Sequence, residues 1–150
     1  MEALLVEHLP DGSGWQFEPK WDGFRCIAAR DGAEVALWSK SGKPLDRYFP
    51  EVVALFARLA PERFVLDGEL LIDTAGAMSF EALQARLHPA ASRIAKLSAA
   101  TPALFMAFDC LAIGPELLAS EPLTERRAAL ERLLAKEAGG YLRLSPATTD

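Results

Sequence analysis

The stretch EPKWDGFRCIAARDGAEVALWS, from Glu18 to Ser39, decides how the chain folds. Aromatic and branched residues interleave with charged ones on either side of Gly23, which is the pattern of extended backbone. FRCIAAR and AEVALWS are separated by Asp31-Gly32. That dipeptide between two such runs predicts a hairpin, because a type I′ turn needs positive φ at both central positions. Lys20 then falls just ahead of the first strand, and Ser39-Lys40 at the end of the second.

Outward from this hairpin, FPEVVALFARLA places Val52, Leu55, Phe56 and Leu59 at helical spacing and stops before Pro61. RFVLDGELLI reads as an apolar strand interrupted by an acid-glycine-acid triplet. Ser79 is a cap for a short helix through Arg86, and LHPAASR is a turn into a second helical piece. ALFMAFDCLAIG is a long apolar strand. Thr124 is expected to cap a helix through about Lys136 with Leu130, Leu133 and Leu134 on one face. YLRLSPATTD ends the sequence as a strand and a polar tail. Hairpins and helices mix without a strict βαβ alternation, so the fold class is α+β.

The 150 residues suffice for one globular unit with a hydrophobic core, and 51% of them are apolar. The sequence shows no apolar run of membrane-spanning length, and its start carries acids where a secretory signal carries Lys or Arg. Cys26 and Cys110 lack metal-ligand spacing and sit in apolar stretches, so both are read as reduced core residues. A net charge of −5 argues against a protein coated in basic residues to grip duplex DNA. The charge is unevenly placed, however. Lys20, Arg25, Arg30, Lys40, Lys43 and Arg47 crowd one stretch, so a local positive surface is expected on an acidic protein.

The residues that carry chemistry start at Glu18-Pro19-Lys20-Trp21-Asp22-Gly23-Phe24-Arg25. This segment resembles the K-x-D-G-x-R motif of the covalent nucleotidyltransferases, namely DNA ligases, RNA ligases and mRNA capping enzymes. Further elements of the ligases follow in order: Ser39-Lys40-Ser41-Gly42-Lys43-Pro44, Val65-Leu66-Asp67-Gly68-Glu69, Phe105-Met106-Ala107-Phe108-Asp109, and Leu123-Thr124-Glu125-Arg126-Arg127. The resemblance covers nearly the whole sequence. It is strongest to the ATP-dependent bacterial DNA ligases of the C and D types, in which KPLDRYFPEV and LHPAASR are also familiar.

That resemblance implies an ATP-grasp-like nucleotidyltransferase fold of antiparallel sheets flanked by helices, present here in part. Residues 1–150 would be the amino-terminal portion of an adenylation domain, without an oligonucleotide-binding-fold domain. It implies ATP and Mg²⁺ (or Mn²⁺) as cofactors, nicked duplex DNA as partner, and a bacterial cytoplasmic setting. Lys20 would form a phosphoramidate with AMP. Glu18 would meet the adenine edge, Arg25 the ribose, and Phe108 would stack on the base, with Phe105 as its rival. Glu69 would bind the ribose or orient a hydrated metal. Asp22 would orient Lys20 or hold metal-bound water, and Gly23 would take a tight or left-handed conformation. Lys40 stands where the family usually has Arg, so it keeps the charge and loses the bidentate fork. Asp67 is read as structural, and His8 and His88 as ordinary surface or turn residues.

Elementary chemistry agrees with the motif reading. Lysine attacks a phosphorus only as the free amine, and an ordinary lysine holds its proton up to about pH 10.4, so such a site has to disfavour the charged form. Neighbouring cations such as Arg25 and Lys40, bound Mg²⁺ and partial burial beside Trp21 and Phe24 would all act in that direction. The later E-G-x-x-x-K and K-x-K elements of the family do not occur in these residues, so the chain is not expected to seal DNA alone. A capping-type guanylyltransferase or RNA ligase shares the Lys20 motif. An NAD-dependent ligase normally has a small residue in place of Arg25. A non-catalytic half-domain that binds ATP or DNA is the alternative of another class.

Overall fold

A computed structural model describes residues 5–137 and 139–149. The hairpin around Gly32 is its first element, with β1 at Phe24–Asp31 and β2 at Glu34–Ser39. Asp31 pairs with Glu34, so the two loop residues are Gly32 and Ala33 rather than Asp31 and Gly32. Gly32 has φ of 60° and Ala33 is not among the positive-φ residues. Positive φ at the first loop position alone is the type II′ pattern, which demands only that single glycine. The hairpin is therefore where the sequence predicts it, with its turn one residue further on.

A 3-10 turn (Asp46–Tyr48) leads into α1 (Pro50–Phe56), which has proline in its first turn as the fixed φ of that residue favours. β3 (Arg63–Thr74) follows, then β4 (Ala77–Met78) and the short α2 (Phe80–Gln84). Ser79 caps α2, its Oγ accepting from the Ala82 N–H at 3.2 Å. α3 (Ala91–Ala100), β5 (Ala103–Ile113), β6 (Glu116–Leu117), α4 (Leu123–Glu137) and β7 (Leu142–Leu144) complete the order. α4 begins at Leu123, so Thr124 lies inside its first turn instead of capping it. The Pro122 carbonyl accepts the N–H groups of Glu125 and Arg126, which starts the helix two residues earlier than a Thr124 cap would.

Among the described residues the strands form one sheet in the order β2-β1-β3-β5-β6, with β4 on β3 and β7 on β5. Its pairings are antiparallel except for the parallel β5–β7 pair. Alternation along the strands sorts side chains to two faces. Cys26, Ala28, Leu37, Phe64, Leu66, Leu70, Phe105 and Ala107 are buried in the main core with Val52 and Phe56 of α1 and Leu130, Leu133 and Leu134 of α4. Phe56 sits edge-on to Phe64 and Phe105, with ring centroids 5.6 and 5.0 Å away. The opposite face carries a smaller cluster of Leu71, Leu104 and Met106, covered by Trp21. Both cysteines are free and buried. Burial pushes the Cys26 thiol up to about 12 and the Cys110 thiol up to about 11, so both are inert core groups.

One polar brace ties the helical side together. Arg86 is completely buried and donates to the carbonyls of Tyr48 and Thr101 at 3.1 and 2.9 Å and to Glu51 at 2.7 Å. Glu51 in turn accepts the N–H of Ala103 at 3.0 Å. The 3-10 turn, α1, the end of α3 and the start of β5 thus share one ion pair. Removing one member of a buried pair leaves the other charge uncompensated, at a cost of about 3–5 kcal/mol. Arg86→Met is accordingly expected to lower unfolding free energy by about that amount in urea titrations; a change under about 1 kcal/mol would show that the brace is not structural.

Candidate active site

The loop before β1 carries Lys20, and it is fixed on both sides of that residue. Upstream, Phe17 exchanges two backbone hydrogen bonds with Thr148, at 2.8 and 3.0 Å. Downstream, Trp21 lies on the second face of the sheet and its indole N–H donates to Ser145 Oγ at 3.0 Å. Gly23 then donates its N–H to Glu69 Oε1 at 3.2 Å. Lys20 and Asp22 are exposed between these anchors. Gly23 does not take positive φ, contrary to the left-handed expectation. Its lack of a side chain serves close approach instead, since a Cβ there would come within 2.2 Å of the Leu70 carbonyl oxygen.

β1 and β3 pair with Arg25 opposite Glu69 and Cys26 opposite Gly68. Arg25, Asp67 and Glu69 therefore share the second face. Arg25 grips Asp67 with both arms of its guanidinium, Nε to Oδ1 at 3.1 Å and NH2 to Oδ2 at 2.7 Å. Asp67 is 3% exposed, and its carboxylate is spent on holding Arg25 in place. The guanidinium also lies 5.6 Å from the centre of the Phe108 ring. Phe108 is half-buried, whereas Phe105 has no exposure and packs in the core, which removes Phe105 as the candidate base platform. Alternation along β5 sends Phe105 and Ala107 to the core and Phe108 to the second face with Leu104 and Met106. β5 pairs Asp109 with Asp67 and Ala107 with Gly68, so Phe108 is the extra residue of a β-bulge, which turns Asp109 to the second face and returns Cys110 to the core.

Beside the Lys20 loop opens a cleft of about 1140 Å³ lined among others by Arg25, Lys40, Lys43, Arg47, Glu69 and His88. The turn that presents Lys40 and Lys43 is closed by Gly42 N–H to Ser39 O at 2.8 Å and Lys43 N–H to Ser39 Oγ at 3.1 Å. Four of the six expected basic residues thus meet at this cleft together with the acid Glu69, whereas Lys20 is outside its lining and Arg30 turns away to the carbonyls of Phe56, Leu59 and Pro61. His88 lies in the bend after α2, as its reading as a turn residue expects. It has φ of 97°, which a non-glycine residue reaches only under strain, and it lies at this cleft. Lys20, Glu18, Asp22 and Phe108 are not part of the cleft lining. Glu18 sits on the other side of the loop, accepting from Gln16 Nε2 at 2.6 Å and facing Arg127 at 3.8 Å.

Burial pushes the Glu69 carboxyl above the ordinary range, against the Gly23 N–H, the Arg25 guanidinium and the Lys20 ammonium, which pull it down. Lys20 is therefore within electrostatic reach of Glu69. Among the described residues no group of three or more His, Cys, Asp or Glu gathers into a metal site. Mg²⁺ is commonly held by one or two carboxylates together with substrate phosphates and water, and Glu69 beside a cationic cleft fits that kind of site. The links through Ser145, Thr148 and Arg127 are absent from the sequence reading, because each joins residues more than a hundred positions apart.

These features define a chain with a tethered, exposed lysine next to a cationic cleft, built on a curled sheet with helices on one face. Residues 5–149 match the family model of the ATP dependent DNA ligase domain, and the chain belongs to that family. Within it the chain is of the ligase C and ligase D type. It is 55% identical over its full length to DNA ligase C2 of Mycolicibacterium smegmatis and 48% identical to DNA ligase C of Mycobacterium tuberculosis. It spans 42% of each of those proteins. The solved structure of mycobacterial DNA ligase D complexed with ATP and MES is similar over 88% of this chain and 39% of that one, with a TM-score of 0.67 and 30% identity. No helix among the described residues is long and apolar enough to cross a membrane.

Glu69→Gln separates the charge of this residue from its hydrogen bond to Gly23. Ionising the wild-type carboxyl costs the folded state, so its stability falls as pH rises through the raised value, a loss the amide does not suffer. The melting temperature of Glu69→Gln relative to wild type is expected to climb as pH rises above the ordinary glutamate value of about 4.3 and then to level off. A difference independent of pH would contradict the assignment.

Proposed function

We propose that this chain catalyses nucleotidyl transfer through Lys20, as the adenylation step of an ATP-dependent DNA ligase. The observation that carries the reading is the placement of Lys20, exposed between fixed anchors and beside a cleft rich in Arg and Lys. The Lys20 amine attacks the α-phosphorus of ATP. An N–P bond forms, the P–O bond to pyrophosphate breaks, and the amine proton goes to solvent. A DNA 5′-phosphate oxygen then takes the AMP from Lys20, and the 3′-hydroxyl across the nick displaces AMP to seal the strand. On this reading residues 1–150 are the amino-terminal portion of the adenylation domain, working in a bacterial cytoplasm on DNA under repair.

In this account the residues divide the work of positioning and charge stabilisation that phosphoryl transfer requires. Phe108 offers a half-buried π-face to the base, and Glu18 an acceptor to the adenine amine. Arg25, oriented by Asp67, meets the ribose, and Lys40 on its turn meets phosphate as a point charge. Glu69, with Asp22, would hold Mg²⁺, which when bound neutralises charge on the triphosphate.

Intact-mass spectrometry with Mg²⁺ and ATP or GTP tests the reading. The expected result is a gain of one adenylyl group with ATP, mapped to Lys20 and absent from Lys20→Ala. Guanylyl transfer would indicate the chemistry of a capping enzyme. ATP binding of equal strength to both proteins without any adduct would indicate a non-catalytic nucleotide-binding fold.

A further inference from the structure

Arg127 interrupts the apolar face of α4, where Ala129, Leu130, Leu133 and Leu134 are all buried. Its side chain is 9% exposed. Nε donates to Glu131 at 2.8 Å and NH2 to the Ser145 carbonyl at 2.8 Å. NH1 is buried and makes no hydrogen bond, and it faces Glu18 Oε1 at 3.8 Å. Ser145 is itself fully buried, with its N–H on the Ala107 carbonyl and its Oγ accepting from the Trp21 indole. One guanidinium thus reaches the residue two positions before Lys20 directly and the residue after it through Ser145.

We propose that Arg127 is the positioning residue of the Lys20 loop, acting on Glu18 through NH1 and on Trp21 through the Ser145 main chain. The inference rests on reading Lys20 as the nucleophile. A charged N–H buried without an acceptor is costly, so NH1, which makes no hydrogen bond among the described residues, exerts a standing pull on the Glu18 carboxylate that it faces. The 3.8 Å gap is too long for a hydrogen bond and short enough to close with a small movement of the loop. Contacts of this kind are often loose in the free protein and tighten when substrate binds. Closing it turns the Glu18 carboxylate to a fixed direction while Trp21 stays seated on Leu71, Leu104 and Met106. The amine between them is then held at one height above the sheet. Lysine could restore the charge at position 127 but not the fork that serves Glu18 and Ser145 together.

A bracing role in folding and a positioning role make different predictions. Bracing changes how many molecules are competent, whereas positioning changes the rate constant of each competent one. The test is single-turnover lysyl-AMP formation by the full chain with ATP and Mg²⁺, comparing wild type with Arg127→Met, Arg127→Lys and Ser145→Ala. Misplacing a reacting group by about an ångström costs on the order of a hundredfold, so Arg127→Met is expected to lower the rate constant at saturating ATP by about ten- to a hundredfold. It is also expected to raise the KM for ATP, because Glu18 is released. Ser145→Ala removes only the Trp21 arm and should lower the rate constant while leaving KM unchanged. Arg127→Lys should recover part of the loss. If Arg127→Met does not fold, the Ser145→Ala and Arg127→Lys results decide. Variants that lose amplitude or melting temperature but keep the wild-type rate constant and KM would overturn the proposal. Absence of any Lys20 adduct in the wild type would overturn the functional reading and this inference with it.

Discussion

The ion pair between Arg25 and Asp67 is the interaction on which the rest of the site depends. It crosses the β1–β3 pairing diagonally, since Arg25 stands opposite Glu69 in the ladder while its guanidinium reaches Asp67. A carboxylate as buried as Asp67 is tolerable only with a partner that matches it in charge and geometry, and the bidentate fork supplies both. The same register sends Cys26, Gly68 and Leu70 into the main core. A slip of one residue would exchange the two faces, burying Arg25 and Glu69 and exposing the core. Apolar burial on one side of the sheet thereby fixes where the charged groups stand on the other.

How much of this was legible in the residues depends on the range of the contact that decides each point. The β1–β2 hairpin and the long strands β3 and β5 follow from local periodicity and came out where the pattern placed them, whereas α1 starts as expected but ends at Phe56, leaving Leu59 in the turn beyond it. The turn at Gly32 shows the limit of that reading. Asp-Gly favours a type I′ loop locally, but the pairing of Asp31 with Glu34 moves the loop along by one and needs only one positive φ. Alternation puts Phe108 and Phe105 on opposite faces of β5, but which face is the core is decided by the packing of α1 and α4 and not by the strand itself. Alternation then fails at Asp109 and Cys110, because the bulge before them exists only in the pairing with β3, a strand about forty residues away.

The residues around Lys20 are held by long-range contacts that have no sequence signature. Ser145 and Thr148 lie in a polar tail that composition alone marks as unremarkable, yet they seat Trp21 and pair with Phe17. Arg127 was visible as one of two adjacent arginines in a ligase-like segment, without any indication of what either touches. The two diverge in the structure: Arg126 bonds Asp109 within β5, and Arg127 turns to Ser145 and Glu18. Arg127 keeps a donor without an acceptor among the described residues and Glu69 resists ionisation, both beside the Lys20 loop, while comparable costs are also borne at Ala75 and His88, with positive φ, and at the buried Nε of Arg86.

A double-mutant cycle on Arg25 and Asp67 tests the central claim most directly. Unfolding free energies of wild type, Arg25→Met, Asp67→Leu and the double variant would be measured in denaturant. If the pair organises the second face, the coupling energy is expected to be about 1.5–3 kcal/mol, the range for hydrogen bonds to charged groups. Coupling below about 0.5 kcal/mol would mean that the two side chains contribute independently, and the geometry around Lys20 would then have to be set by the backbone register alone.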